Sequence, residues 1–455
     1  MEKKKLIPIG VLLIGIIVLA ILWKNIFMDA PNTEETQGFA AYNTENGTLY
    51  STDKGENSIK TIESGVEATR RMAEENTGKT DDADCVGAIN DDAAENNITE
   101  EIIVEDVYNL DTYMQRFWEG NVVYNESVLP MEDADGTVEP ISLMYAIDEI
   151  ISVRDATLET EYVYGQDYIL EDGKLVITEN SNIPTVAYTS MYNNVTDGSA
   201  NWQPCKNGGY TYYSEGDYFH RKQLAITYTH TDQWTGSIPE SKLDLLPNTA
   251  RKLESQDPLS IVFFGDSITV GANASGFSDV NCPPYMPIWT DMTVEALKKA
   301  YNYSEITAVN TAVGGTRSSW GAETAYNNVA RYEPDLVVIA FGMNDGTRSV
   351  SAESYISNIK SIMDTARTAN PDVEFILVSP ILANPETYFD GTQSKYLPAL
   401  LELETEGTCV ADLTSIHTYL LQKKTYTDMT GNNVNHPNDF LIRFYAQVLE
   451  ATLTK

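Results

Sequence analysis

The stretch Leu259-Ser260-Ile261-Val262-Phe263-Phe264-Gly265-Asp266-Ser267-Ile268-Thr269 decides how the C-terminal half of this 455-residue chain is read. Its opening is a nearly continuous apolar run, the pattern of a strand buried on both faces of a parallel sheet. The glycine then permits a tight turn, which delivers a serine hydroxyl at the carboxyl end of the strand. The same rhythm recurs downstream. Buried-strand runs occur at Ile306 to Asn310, Leu336 to Phe341, Val373 to Ser379 and Cys409 to Leu413. Helical stretches lie near Pro287 to Tyr301, Glu323 to Arg331, Ala352 to Ala369, Ser394 to Glu404 and Asp439 to Leu453. This alternation predicts a three-layer α/β/α sandwich around a parallel sheet over 247–455, with its chemistry outside the carboxyl ends of the strands.

Three loops should open on that edge. The first carries Asp266-Ser267, the second Asn310-Thr311-Ala312-Val313-Gly314-Gly315-Thr316, and the third Phe341-Gly342-Met343-Asn344-Asp345-Gly346. Acyl transfer needs donors aimed at the oxyanion of a tetrahedral intermediate. The N–H groups of Ser267 and Gly315 and the side-chain amide of Asn344 would supply three. Glycine leaves room for substrate, and asparagine donates without bringing charge. Taken singly, each is an ordinary cap or turn residue; together, at successive strand ends, they form a constellation. The base must come from His220, His230, His417 or His436, the four histidines of the chain. His436 sits in Asn432-Asn433-Val434-Asn435-His436-Pro437-Asn438-Asp439, just before the final helix, whereas His417 lies in an amphipathic segment and His220 and His230 precede the α/β half.

Gly265-Asp266-Ser267, Gly315, Gly342-Met343-Asn344-Asp345 and His436-Pro437 resemble, in order, the four blocks of the SGNH (GDSL-like) hydrolase family, over the chain from residue 259 onward. The resemblance implies a flavodoxin-like fold, Ser267 as nucleophile, His436 as general base, and Ser267, Gly315 and Asn344 as the oxyanion hole. The family usually has an aspartate three residues before the histidine, where this chain has Asn433. An asparagine carbonyl can accept the Nδ1 proton and fix the tautomer, but it cannot stabilise an imidazolium by charge. Asn433 is therefore the expected support of His436, with Asp439, Asp428 or a backbone carbonyl as alternatives.

The N-terminus reads differently. Lys3, Lys4 and Lys5 precede an apolar run from Leu6 to Trp23. Its 18 residues would extend about 27 Å as a helix, close to the hydrocarbon thickness of a bilayer. Residues 1–28 are expected to be an uncleaved signal anchor, single-pass, with the bulk of the chain outside a bacterial cell. Residues 29–102, acidic and without a sustained apolar period, read as a flexible linker. Residues 103–246 alternate with period two between turns such as Glu171-Asp172-Gly173, predicting a jelly-roll-like β-sandwich with strands at Thr160 to Tyr164, Lys174 to Thr178, Thr185 to Tyr192 and Leu224 to His230. Its many tyrosines suit stacking on sugar rings as well as ordinary half-buried strand positions.

Composition narrows the partners. With 67 acidic against 30 basic residues, the formal charge of −37 repels phosphate backbones and argues against nucleic acid. Cys85, Cys205, Cys282 and Cys409 lack the short spacings of a metal site, so no metal and no cofactor is expected and the thiols should be free. The substrate class implied is an ester, and an exterior location with an aromatic-rich module favours acetyl groups on carbohydrate. The loop from Gly271 to Asp291 with Tyr285 and Trp289, together with Trp320, is expected to form polar-aromatic walls. Competing expectations are a peptidoglycan O-acetylesterase or acyltransferase, a lipase-like acylhydrolase, and an inactive surface carbohydrate-binding module.

Overall fold

Strands β1 (Leu259–Gly265), β2 (Ile306–Asn310), β3 (Leu336–Ala340), β4 (Glu374–Val378) and β5 (Thr408–Ala411) form a parallel sheet in the order β5-β4-β3-β1-β2 in the computed structural model. That model describes residues 105–455 and two short strands, Ala41–Asn43 and Thr48–Tyr50. The two short strands continue the sheet beyond β2 as an antiparallel hairpin. The signal anchor expected over 1–28, and the linker apart from that hairpin, lie outside the described residues. Among the described residues no helix is long and apolar enough to cross a membrane.

Side chains alternate along each strand, so each supplies both faces of the sheet. Ile261 and Phe263 of β1 join one apolar cluster with α2 (Trp289–Ala300) and the last helix, Asp439–Leu453. Val262 and Phe264 join the other, beneath Ala325 and Val329 on one side and Tyr355, Ile359 and Ile362 on the other. Register aligns Phe263 with Asn310 and Gly265 with Ala340. The loops after β1, β2 and β3 therefore leave the sheet at one level. Because β2 and β3 flank β1 on opposite sides, the chain changes direction there, and a crevice opens at such a switch point.

Where the β-sandwich is expected, pairing produces three small antiparallel sheets. The largest sets Leu224–Thr229 between Val122–Val128 and Glu149–Asp155. A hairpin joins Tyr168–Glu171 to Lys174–Ile177, its turn made by Asp172 and Gly173 with φ of 50° and 73°, as a two-residue turn with two left-handed residues requires. The third sheet sets Tyr210–Tyr212 between Tyr192–Asn193 and Trp202–Pro204. The strand expected over Thr185 to Tyr192 is instead a bridge at Val186 followed by a helical turn, Tyr188–Met191, which buries Met191.

These sheets share their core with the α/β half. Tyr113, Phe117, Val153, Ile226 and Tyr228 belong to the same apolar cluster as the final helix, and the Phe117 ring stacks on Phe444 with centroids 4.4 Å apart. Arg443, fully buried, donates from Nε to the Tyr113 carbonyl at 3.1 Å and from Nη1 to the Tyr124 carbonyl at 2.6 Å. A buried guanidinium with satisfied donors ties the two halves firmly.

Candidate active site

Gly265 ends β1 where no other residue would fit, because a Cβ there would collide with the Ala340 carbonyl and the Thr269 side chain. Asp266 follows as the cap of α1 (Ser267–Val270), its carboxylate accepting the Ile268 N–H at 3.1 Å. Ser267 thus opens a helix, and its N–H is one of the first-turn amides that lack an acceptor within a helix. Its hydroxyl meets His436 Nε2 at 2.8 Å. The two residues are 169 positions apart, yet each is only 8–9% exposed.

The expected oxyanion donors converge on the same edge of the sheet. Gly315 has φ of 73°, a conformation that disfavours L side chains, and a Cβ there would project into open space. Asn344, half-buried at the start of α3 (Met343–Thr347), donates one Nδ2 hydrogen to the Thr316 carbonyl at 2.9 Å. That bond fixes the amide with its second hydrogen free to face an oxyanion. Asp345, next along, receives the Ser318 N–H at 2.9 Å and its hydroxyl at 2.5 Å, which locks the second loop against the third.

The support of His436 differs from the sequence expectation. Nδ1 lies 2.8 Å from Asn273 Oδ1 and 3.2 Å from Glu215 Oε2. Asn433 does not touch the imidazole. With φ of 70°, its backbone turns the side chain away, so that Nδ2 donates to Thr211 Oγ1 and the Tyr212 carbonyl, both at 2.8 Å, while Oδ1 accepts from Asn384. The alternatives are occupied elsewhere too: Asp439 accepts the Ser275 N–H, and Asp428 accepts the N–H groups of Leu129 and Thr425.

Residues 263–440 match the model of the GDSL-like lipase/acylhydrolase family. This segment is a GDSL-like hydrolase domain. Its chemistry is carboxylic-ester hydrolysis. No curated protein matches the chain in sequence. Among solved structures it is similar to the acetylxylan esterase Axe2 of Geobacillus stearothermophilus, at 19% identity over 43% of this chain and 96% of that one, with a TM-score of 0.34. A two-domain esterase (CEX) active on acetylated mannans is similar at 22% identity over 48% of this chain and 53% of that one, TM-score 0.38. LAE5, an alpha/beta hydrolase from the metagenome of Lake Arreo, Spain, is similar at 21% identity over 43% of this chain and 97% of that one, TM-score 0.36.

Around the dyad of the GDSL-like domain, from residues inside and outside it, charge is graded by burial and by partners. Burial lifts the Asp266 carboxyl to about 7, against the pull of the Ile268 N–H and of His436. It lifts Asp279 to about 6 in the same way. On His436, burial is the largest influence and would lower basicity, but the facing Glu215, with Asp266 and Asp279, together raise the pKa above the ordinary value. Glu215 responds in the opposite sense. Burial would raise its carboxyl, yet the imidazole, the Tyr213 hydroxyl and the Asn432 amide hold it down at about 2.

The other histidines are structural. His417 is fully buried, accepts the Leu382 N–H through Nδ1 at 3.0 Å, and is pushed down to about 3 by burial. His220 bonds the Pro283 carbonyl, and His230 stacks on Tyr145. The aromatic walls are only partly realised. Trp289 is fully buried, its Nε1 donating to the Ile268 carbonyl, and Trp320 packs against Phe264, which leaves Tyr285 exposed. Cys205, Cys282 and Cys409 are free, and among the described residues no His, Cys, Asp and Glu cluster could hold a metal ion.

Proposed function

We propose that the protein is a serine esterase that removes acetyl groups from carbohydrate through an acyl-enzyme, with Ser267 as nucleophile and His436 as general base. The observation that carries this reading is the 2.8 Å contact between Ser267 Oγ and His436 Nε2 beside an unobstructed Gly315 and an oriented Asn344 amide. With its Nδ1 proton directed at Asn273 and Glu215, the imidazole keeps Nε2 as an acceptor. His436 takes the Ser267 proton as the oxygen attacks the ester carbonyl. The oxyanion faces the N–H groups of Ser267 and Gly315 and Asn344 Nδ2, each such donor being worth about 10²–10³ in rate. Collapse breaks the bond to the sugar oxygen, which takes the proton from His436 and leaves as a hydroxyl. Water, deprotonated by the same imidazole, then releases acetate and restores Ser267.

A short acyl group on a hydroxylated leaving group suits a site whose less buried neighbours are the exposed Glu215 beside His436 and the half-buried Thr316 beside Asn344, polar groups in place of an alkyl surface. This is the substrate class of the xylan and mannan esterases noted above. The basic cluster Lys3–Lys5 and the apolar run to Trp23 support display on the outer face of a cell membrane.

Acetate release from acetylated xylan, mannan, pectin and peptidoglycan, set beside p-nitrophenyl esters of increasing chain length, tests the reading. Turnover of acetylated polysaccharide and p-nitrophenyl acetate, lost in Ser267→Ala and His436→Ala, is expected. A preference for long acyl chains, or full activity in Ser267→Ala, would overturn it.

A further inference from the structure

Glu215 lies outside the GDSL-like domain, in the segment Tyr213-Ser214-Glu215-Gly216 that follows the short strand Tyr210–Tyr212, 221 residues before His436. Its carboxylate is held from two sides. Tyr213 Oη donates to Oε1 at 2.7 Å, and Asn432 Nδ2 donates to the same oxygen at 3.0 Å, leaving Oε2 to face His436 Nδ1. Asn273, the nearer acceptor, is itself bound to this loop, since its Nδ2 reaches the Gly216 carbonyl at 3.3 Å. Asn433, at the position where the resembled family has its aspartate, binds Thr211 and Tyr212 of the strand that leads to Glu215.

From this geometry we infer that Glu215 is the anionic positioning residue of His436, supplied by the segment preceding the GDSL-like domain, so that the site is assembled from two parts of the chain. The inference rests on the esterase reading for its kinetic consequence. The neutral Asn273 holds the tautomer, and Glu215 supplies the charge that stabilises the imidazolium formed when Ser267 gives up its proton. Asn433, in turn, anchors the strand that delivers the carboxylate.

Other groups face the same imidazole. Asp266 and Asp279 raise its basicity, and both remain when Glu215 is changed, so the shift expected is partial. Only neutral His436 can act as base. Loss of the Glu215 charge therefore moves the acid limb of the kcat profile to lower pH while lowering its plateau, two effects of opposite benefit that simple damage to the fold would not produce together.

The test compares wild type, Glu215→Gln and Glu215→Asp on p-nitrophenyl acetate from pH 4 to 9, with His436 titrated in parallel by imidazole nitrogen NMR. Glu215→Gln is expected to lose about tenfold in kcat, the size of one charge-assisted hydrogen bond, with little change in KM. Its acid limb and its NMR titration should both move down in pH. Glu215→Asp, which keeps the charge, should leave both near wild type. Unchanged titration of His436 in Glu215→Gln would overturn the inference. The NMR arm needs no turnover, so an inactive wild type would defeat the esterase reading and still leave the role of Glu215 to be decided by the titration.

Discussion

The side-chain carbonyl of Asn432 accepts the backbone N–H of His436 at 3.0 Å, together with those of Val434 and Asn435 at the same distance. Its amide nitrogen meanwhile holds Glu215. One buried side chain thus shapes the loop that presents His436 and grips the carboxylate facing it. Asn432→Ala leaves three buried N–H groups without their acceptor, at about 1–3 kcal/mol for the first and less for each that finds water. We expect a loss of about 3 kcal/mol in urea denaturation and a fall in kcat of tenfold or more. Wild-type kcat in a destabilised but folded Asn432→Ala would separate loop shape from catalysis and contradict the prediction.

Asn433 makes a different prediction. Fully buried, it bonds Asn384, Thr211 and Tyr212, and its backbone is left-handed. Removal of its amide should cost stability, and because it holds the strand that leads to Glu215 and not His436 itself, the acid limb of the activity profile should move less than in Glu215→Gln. Asn433→Gly should be more stable than Asn433→Ala by about 1 kcal/mol, since glycine adopts that backbone without strain. Thermal or urea unfolding of the two variants checks this, and equal stabilities would mean that the loop relaxes out of the left-handed region.

The contrast between these asparagines explains what was legible in the sequence. Strand β3 is apolar throughout, and β1 apart from Ser260, because helices cover both of their faces, so the parallel sheet could be read from Leu259 to Phe264 and Leu336 to Ala340 without coordinates. Ser267 could be read because a tight turn at a strand end demands particular residues, and His436 because it lies in the His436-Pro437 block of a loop just before the final helix. Spacing alone misassigned Asn433, since three residues before the histidine is a sequence position and the φ of 70° that redirects the side chain is not visible there. Glu215 left no signal. It is one acidic residue in a chain with 67, its partner lies 221 positions away, and the strand beside it has only three residues. Trp289 was misread because a tryptophan beside a loop looks like a binding wall until the helix it opens is docked on the sheet, where Phe263 meets its ring edge-on.

Asp291, in the first turn of α2, has a buried Oδ1 without a partner, and its carboxyl is pushed up to about 7 by burial first and by Glu295 second, against Lys298. A carboxyl whose folded pKa exceeds its unfolded one favours the protonated fold. Its contribution is complete below the unfolded value near 4 and is lost as pH rises through about 7. Asp291→Asn removes that loss. The variant should match wild type near pH 4 and exceed it by about 1–3 kcal/mol at pH 8. Denaturation curves at the two pH values check the sign, and a variant equally stable to wild type at both would show that Asp291 ionises freely in the fold.

Lys424 and Glu126 form an ion pair whose side chains are wholly inaccessible, with Nζ 2.5 Å from Oε1. Glu126 stands on the strand Val122–Val128 and Lys424 in the GDSL-like domain, so the pair crosses the same boundary as Glu215 and His436. The carboxylate is otherwise satisfied by the Met144 N–H and the Tyr228 hydroxyl, both at 2.7 Å. Lys424→Met leaves a buried anion without its cation and should cost about 3–5 kcal/mol. The double variant Lys424→Met with Glu126→Gln removes both charges and should recover most of that loss, because the penalty comes from the uncompensated charge and not from the absent attraction. If the boundary is one continuous core, unfolding of every variant should remain a single transition, followed by tryptophan fluorescence from Trp118 and Trp289 on either side of it. Two separated transitions in Lys424→Met would mean that the preceding segment can detach, and activity should then fall with the first of them, as Glu215 leaves His436.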